Sequence, residues 1–173
     1  PDGSLVAMVH SNNGTTDLNA WVNLFKEFAD SIGADVDMNQ MYGTLYNKAL
    51  EGDADCGGIL SYGNYAGEPI TNVEKGRPMV VRTPETKFNL ANFMRSHLYT
   101  ALGVIKVGMD ILTKDEGVEI DTVLGHGGLF KTKGVGQKIL ADAINTPVVV
   151  METAGEGGPW GMAILAEYMV KRE

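Results

Sequence analysis

The sequence predicts an α/β domain, because short apolar runs alternate with amphipathic helical stretches along its 173 residues. The last third shows this most clearly, since strand, glycine turn and helix follow one another twice between residues 122 and 171. Within it, the continuous apolar run at residues 147–151 is typical of a fully buried parallel strand. The length suits one domain with its own core, spanning residues 1–173. We therefore expect a sheet flanked by helices, with any ligand at the carboxyl ends of the strands.

The first elements follow from the spacing of apolar residues. Residues 4–10 are predicted to form a strand, and residues 18–32 carry apolar side chains at the i, i+3 and i+4 spacing of a helix. Gly33 is placed to end this helix. Thr15 or Thr16 is expected to cap its start, because a hydroxyl can accept a bond from the first free amides.

The remaining elements are predicted from the same periodicities. They are helices at residues 38–50, 88–113, 134–144 and 159–171, and strands at residues 56–60, 122–124 and 147–151. Residues 61–86 are rich in Gly, Pro and Asn and predict a long irregular connection. In the longest helix, Gly103 and Gly108 lower the helix propensity, which suggests that another element packs closely there.

Composition and charge argue against several classes of function. The formal net charge of −8, with no basic stripe to offset it, argues against nucleic-acid binding. No apolar run approaches the roughly 18 residues of a membrane span. Cys56 is the only cysteine, so no internal disulfide can form and a cytoplasmic location is expected. The chain opens at Pro1 rather than at a methionine, which suggests a segment of a longer protein.

The most informative feature is a glycine-rich turn between a predicted strand and a predicted helix. Without side chains at Gly125, Gly127 and Gly128, a flat or anionic ligand can lie against the backbone, with free N–H groups of the next helix behind it. Turn geometry or packing explains such glycines as well. The G-x-G-x-x-G pattern fails at Phe130, and no G-x-x-x-x-G-K-[ST] is present. The sequence therefore predicts a nucleotide pocket, but one that is neither of the Rossmann type nor of the P-loop type.

A second glycine turn, at residues 153–158, follows the next predicted strand. Because the carboxyl ends of parallel strands meet at one edge, the two turns are expected side by side, which favours a nucleotide site. Glu152 and Glu156 could pair here for acid–base work. A carboxylate at Glu156 is equally favoured by the helix N-terminus that follows it.

Other polar residues near these turns admit two interpretations each. On one interpretation, Lys131 and Lys133 contact a phosphate or the adenosine edge of a nucleotide. On the other, both are solvated lysines on a loop. Asn13, Gly14 and Thr15 belong to another turn at the start of a helix. They line a phosphate site, or they only cap the helix.

The sequence offers no recognisable catalytic constellation. His10, His97 and His126 are scattered and lack metal-ligand spacing. His126 lies within the glycine turn, where it touches a ligand or makes a structural hydrogen bond. No G-x-S-x-G motif and no isolated acidic residue stand out as parts of a catalytic machinery. We therefore predict neither a catalytic nor a metal-binding residue in this chain.

Several linked motifs occur in one order. They are Gly127-Gly-Leu-Phe-Lys-Thr-Lys-Gly-Val-Gly-Gln-Lys-Ile-Leu-Ala-Asp142, then Pro147-Val-Val-Val, then Ala154-Gly-Glu-Gly-Gly-Pro-Trp-Gly-Met-Ala-Ile-Leu-Ala166. Together they resemble the carboxyl-terminal domain of FGGY carbohydrate kinases, the relatives of xylulokinase, ribulokinase, glycerol kinase and gluconate kinase. Upstream, Gly58-Ile-Leu-Ser-Tyr-Gly-Asn-Tyr-Ala-Gly-Glu-Pro69 resembles the family's Ser-Gly-Glu-Arg-x-Pro loop. Trp21 falls where these proteins often place a Trp on the first helix.

The resemblance implies an RNase H-like, actin-like ATPase domain with a mixed sheet flanked by helices, one half of a two-domain sugar kinase. The implied reaction transfers the γ-phosphate of ATP, with Mg²⁺, to a hydroxyl of a ketose or polyol. A ketopentose such as xylulose or ribulose is the expected substrate. The amino-terminal domain, the catalytic Asp and the Gly-Thr phosphate loop are expected to lie outside this chain, so the segment alone should be inactive.

The resemblance also implies positions for the nucleotide. It places the Gly127–Gly128 pair against the adenosine and its phosphates, and Lys133 near a position where relatives carry an adenine-side Asn. The predicted cofactor-binding residues are therefore Gly127, Gly128, Leu129, Lys131, Lys133, Asn13, Gly14 and Thr15. Many relatives are dimers, so a homodimer is a further expectation.

Two other classes of function compete with this interpretation. One is a non-catalytic actin-fold module that binds a nucleotide and closes on partners. The other is an RNase H-like nuclease, which needs metal-binding carboxylates at the strand ends that this sequence lacks.

Overall fold

The computed structural model describes residue 3, residues 5–152 and residues 154–171. The chain forms two compact units, Pro1–Glu119 and Ile120–Glu173. Helices and short strands occur in both units, so the predicted α/β class is confirmed. No helix within these residues combines the length and the apolar character needed to span a bilayer.

Helices dominate the first unit. Its main elements are α1 (Thr16–Ser31), α2 (Met38–Ala49), β1 (Leu60–Tyr62), β2 (Met79–Val81) and α3 (Leu90–Asp110). A π-helical turn extends α3. Strand β1 pairs antiparallel with β2, and Leu60 lies opposite Val81. The three helices match the predicted ones to within three residues at each end.

Apolar side chains from the three helices form the core of this unit. The most buried ones are Leu18 and Val22 from α1, Leu45 and Ala49 from α2, and Met94 and Leu98 from α3. Each buried Val, Leu or Met side chain contributes about 1.5–3 kcal/mol. Packing of the three helices therefore stabilises this unit more than the short β1–β2 pair does.

The end of α1 forms as its sequence predicts. Gly33 has a φ of 74°, and its amide donates to the carbonyl of Asp30 at 3.0 Å. The amide of Ala34 donates to the carbonyl of Ala29 at 2.9 Å. These two bonds form a Schellman motif, which requires a left-handed residue at the position of Gly33.

The start of α1 differs from the prediction. Thr15 occupies the N-cap position, but its side chain makes no capping hydrogen bond. Its backbone, at φ −94° and ψ 13°, departs from the extended conformation in which a hydroxyl reaches the next amides. The predicted cap by Thr15 or Thr16 is therefore wrong. The carbonyl of Asn13 accepts a bond from the Thr16 amide at 3.0 Å instead.

The strand predicted at residues 4–10 is wrong for residues 5–10, while Ser4 lies outside the described residues. Leu5, Val6 and Met8 are 103%, 87% and 85% exposed. Within the described part of the chain, no segment pairs with residues 5–10. An apolar run becomes a strand only where a neighbour completes the hydrogen-bond ladder.

Glycines in α3 divide according to their surroundings. A Cβ atom at Gly108 would clash with the side chain of Val9, so the predicted close approach is confirmed there. A Cβ atom at Gly103 would meet nothing within 4 Å, so close packing does not explain that glycine.

The strand predicted at residues 56–60 is replaced by a turn that precedes β1. Cys56, Gly57 and Gly58 have φ values of 55°, 61° and 82°. Left-handed backbone cannot join an extended ladder, so the strand begins only at Leu60. Its partner β2 lies within residues 61–86, a stretch that the sequence predicts to be irregular.

The second unit repeats strand and helix as predicted. It contains β3 (Val123–Gly125), α4 (Val135–Ile144), β4 (Val148–Val150) and α5 (Gly157–Lys171). β3 and β4 are parallel, with Gly125 opposite Val150. Val149 is 47% exposed, so β4 is not the fully buried strand that was predicted. Among the described residues β4 pairs only with β3, and the face that carries Val149 stays open.

Candidate functional site

Two glycine turns meet at one edge of the parallel sheet in the second unit. The first follows β3 and the second follows β4, as the sequence predicts. The amide of Gly127 donates a hydrogen bond to the carbonyl of Ala154 at 2.8 Å. This bond joins the turns beyond the last paired residues of the strands, at the edge where α/β sheets bind ligands.

Gly127 and Gly128 present bare backbone to open space. Gly127 has a φ of 109° and a ψ of 178°, a conformation that only glycine adopts readily. A Cβ atom at either glycine would meet nothing within 4 Å. Packing therefore does not explain the missing side chain at Gly128, whose φ lies outside the left-handed region. The backbone at these two glycines therefore borders open space.

Phe130 gives two neighbouring glycines a different role. A Cβ atom at Gly125 would lie 2.7 Å from the Phe130 ring, and one at Gly136 would lie 2.9 Å from it. The ring fills the space between the end of β3 and the start of α4. The interpretation of Gly125 as part of a ligand surface is therefore wrong, because its missing side chain makes room for Phe130.

The predicted lysines lie on the exposed side of the first turn. Lys131 pairs with Glu156 of the second turn at 3.4 Å, and both side chains are exposed. Lys133 is exposed and forms no ion pair with any described residue. Leu129 is half-buried in the short helical turn Gly128–Lys131. The pair of Glu156 and Lys131 connects the side chains of the two turns.

His126 lies against the beginning of α5. A Cβ atom at Gly157 would come within 2.8 Å of its Nδ1 atom, so the missing side chain at Gly157 leaves room for the imidazole. Within the described residues no hydrogen bond to His126 is formed, so the structural bond considered for it is not seen there.

The predicted residues Asn13, Gly14 and Thr15 lie in the first unit, in the turn before α1. The Oδ1 atom of Asn13 accepts bonds from the amides of Tyr65 and Ala66 at 2.7 and 2.9 Å. Its Nδ2 atom donates to the carbonyl of Ala66 and to a carboxylate oxygen. The Asn13 side chain is thus fully used within the protein, which leaves Gly14 and Thr15 as the surface of this turn.

Glu68 holds the turn in place, a role that the sequence analysis missed. Its side chain is completely buried. It accepts bonds from the Ser11 hydroxyl at 3.1 Å, the Asn12 amide at 3.1 Å and the Asn13 Nδ2 atom at 2.9 Å. The one sequence signal for this role was that Glu68 lies in the segment that resembles the family's Ser-Gly-Glu-Arg-x-Pro loop.

The charge of Glu68 fits this set of donors. Burial by itself raises the pKa of a carboxyl group, but the bonds from Asn13, Asn12 and Ser11 outweigh it and hold the pKa of Glu68 below its ordinary value. Glu68 therefore stays ionised, and its charge orders the turn through charge-assisted bonds.

A second buried polar pair lies behind the same turn. The Nδ1 atom of His97, on α3, lies 3.2 Å from Oδ2 of Asp17 in the first turn of α1. Burial lowers the pKa of His97, although Asp17 opposes this effect. A neutral imidazole that donates from Nδ1 fits the geometry. The pair borders a cavity of about 10 Å³, also lined by Asn13 and Gly14, which has room for one water molecule and not for a nucleotide.

No metal centre can be assigned to the described residues, because they contain no group of three or more His, Cys, Asp or Glu side chains placed to hold an ion.

Residues 1–170 match the family model for the C-terminal domain of the FGGY family of carbohydrate kinases. No curated protein sequence matches the chain significantly.

Solved structures with a similar fold include three sugar kinases. A xylulose kinase from Lactobacillus acidophilus is 18% identical with a TM-score of 0.64, over 94% of this chain and 31% of that one. A gluconate kinase from the same organism is 19% identical with a TM-score of 0.60, over 94% and 31%. A xylulose kinase from Bifidobacterium adolescentis is 18% identical with a TM-score of 0.59, over 88% and 29%. The chain thus spans about a third of the length of these proteins.

Proposed function

The chain belongs to the FGGY family of carbohydrate kinases as its C-terminal domain, and we propose that it is the ATP-binding half of a sugar kinase. The fold is that of an actin-like ATPase domain, shared with the xylulose and gluconate kinases. The complete protein would transfer the γ-phosphate of ATP to a sugar hydroxyl. An amino-terminal domain of the same protein would supply most of the sugar site.

One observation carries the assignment of the nucleotide surface. Gly127 and Gly128 are open to solvent, at the sheet edge where the two glycine turns are joined by a backbone hydrogen bond. Without side chains at these positions, a flat purine ring and its ribose can lie close to the backbone. The residues present therefore fit a nucleotide. Leu129 would add an apolar contact beside them.

Charged residues near this surface would orient the phosphates. Lys131 and Lys133 project from the same turn, and Lys133 has no carboxylate partner among the described residues. Lysine acts toward phosphate as a mobile point charge. In the first unit, Gly14 and Thr15 lie at the beginning of α1, where the free amides of a helix favour an anion. Asn13 would then position this turn through its bonds to residues 65–68 and not touch the ligand itself.

The reaction itself needs parts that we do not assign to this chain. Phosphoryl transfer depends on a base for the sugar hydroxyl and on Mg²⁺ to neutralise the phosphates. The described residues contain no metal-binding cluster. We propose that the base lies outside this chain, as the family resemblance implies, and expect the isolated segment to phosphorylate no sugar.

The test is ATP binding by the full-length protein with the substitution Gly128→Val. The branched side chain would stand in open space and cause no backbone strain, so the fold should be unaffected. We expect ATP affinity to fall about a hundredfold, or about 2.7 kcal/mol, by calorimetric titration. Gly43→Val is the matched control, because Gly43 also faces open space, in α2. Equal ATP affinity in the two variants would refute the assigned surface.

We propose a ketopentose such as xylulose or ribulose as the substrate, with ATP and Mg²⁺. The xylulose kinases of similar fold support this choice, while the gluconate kinase supports an aldonic acid. A phosphorylation screen of the full-length protein against ketoses, polyols and aldonic acids decides between them. ATP binding without phosphorylation of any of these compounds would favour a non-catalytic nucleotide-binding module.

A further inference from the structure

The first unit contains an apolar cavity formed by residues outside the proposed nucleotide-binding set. Its volume is about 430 Å³, within the range of small-molecule sites. Its walls come from α1, β2 and the beginning of α3. The apolar side chains that line it are Trp21, Phe25, Val80, Phe88, Leu90 and Phe93.

The aromatic walls of this cavity hold one another in place. Phe93 is buried at the centre, and the Trp21 ring meets it edge-on with centroids 4.8 Å apart. The rings of Phe25 and Phe88 also meet Phe93 edge-on, each at 6.1 Å. Edge-to-face pairs of this kind have a preferred geometry, so the rings fix one another's orientation around the cavity.

A single cation stands among the lining residues. The guanidinium of Arg82 lies 4.5 Å from the centroid of the Phe88 ring. Within the described residues Arg82 forms no ion pair with a carboxylate, although the chain carries a net charge of −8. The beginning of α3 lies at the same cavity, where Asn89 caps the helix by accepting a bond from the Asn92 amide. The positive end of this 21-residue helix adds to the positive potential beside Arg82.

We propose that this cavity binds an amphipathic organic anion, with a flat apolar body between the aromatic rings and one carboxylate or sulfonate paired with Arg82. A sugar lacks the apolar body that the rings would bury. A nucleoside triphosphate would bring several negative charges to a site that has only one guanidinium to pair with them. The site is formed wholly by residues of the first unit.

The experiment uses two dyes on the full-length protein. Anilinonaphthalene sulfonate carries the proposed anionic group, and phenylnaphthylamine is the same kind of aromatic body without the charge. Both fluoresce on entering an apolar site. We expect Arg82→Gln to weaken the sulfonate dye about tenfold and to leave the neutral dye unchanged. Arg77→Gln removes an exposed arginine that does not line the cavity, and it should change neither affinity.

A cavity-filling substitution locates the dyes. Val80→Phe adds a ring to the wall and should abolish the binding of both dyes, as followed by the fluorescence of each dye. Sulfonate binding that responds equally to Arg82→Gln and Arg77→Gln would overturn the proposal, as would dye binding that survives Val80→Phe. Failure of both dyes to bind would mean that another part of the protein, or a second copy, covers the cavity, and would overturn it too.

Discussion

The amide of Gly127 and the carbonyl of Ala154 form a 2.8 Å hydrogen bond that ties the two glycine turns together. The bond spans 27 residues of sequence and fixes the first turn against the second, where the two strands end. Because Gly127 adopts φ 109°, the bond depends on a backbone conformation that other residues avoid.

Substitution of the two adjacent glycines should therefore have unequal effects on stability. We expect Gly127→Ala to lower the free energy of unfolding by about 1–3 kcal/mol, because alanine at this φ is strained. Gly128→Ala should change it by less than about 0.5 kcal/mol, since its backbone is ordinary and its surroundings are open. Urea unfolding of the two variants measures the difference, and equal losses would contradict the described geometry.

The buried carboxylate of Glu68 should make the free energy of unfolding depend on pH in the acidic range. Its pKa lies below the ordinary value, so its contribution is fully present above about pH 4.3 and is lost as the pH falls through the folded-state pKa. We expect the wild type to lose more stability than Glu68→Gln between about pH 5 and pH 2. Thermal unfolding over this range measures both slopes. Parallel curves would show that Glu68 is not the ionised group that holds residues 11–13.

His97 should produce a separate pH dependence at higher pH. Burial lowers its pKa below the ordinary 6.5, so the unfolded chain binds the proton more readily than the folded chain. Stability should therefore fall as the pH drops from about 7 to about 5. His97→Gln should flatten this part of the curve even if it lowers stability throughout. His126→Gln, at an exposed histidine, is the control and should keep the wild-type slope.

The ion pair between Lys131 and Glu156 should matter for nucleotide affinity and little for stability. Both side chains are exposed and the pair is 3.4 Å long, so its contribution to folding should lie within about 0–1 kcal/mol. We expect Lys131→Met to weaken ATP binding and Glu156→Gln to strengthen it, because a phosphate competes with Glu156 for the lysine. Isothermal titration at low salt measures both affinities.

Lys138→Met provides the control for this experiment, because Lys138 is an exposed lysine of the same unit that pairs with Asp142 on α4. It removes the same charge away from the turn. If Lys138→Met weakens ATP binding as much as Lys131→Met, the effect reflects net charge and Lys131 does not contact the phosphates.

The sequence alone determined the helices and the parallel pair of strands, because their apolar periodicity is a local property. It also predicted that the two glycine turns would lie together, and its motifs resembled those of the family. Local patterns could not show which glycines serve packing, since Gly125 and Gly127 look alike until the ring of Phe130 is placed.

Only the tertiary structure decided the remaining points. Glu68 bonds to Asn13, 55 residues away in the sequence. His97 on α3 contacts Asp17 on α1. Residues 5–10 have the pattern of a strand, yet they form none because no described segment pairs with them. Each outcome depends on which groups the fold brings within hydrogen-bonding distance, and hydrophobic periodicity carries no information about such long-range polar contacts.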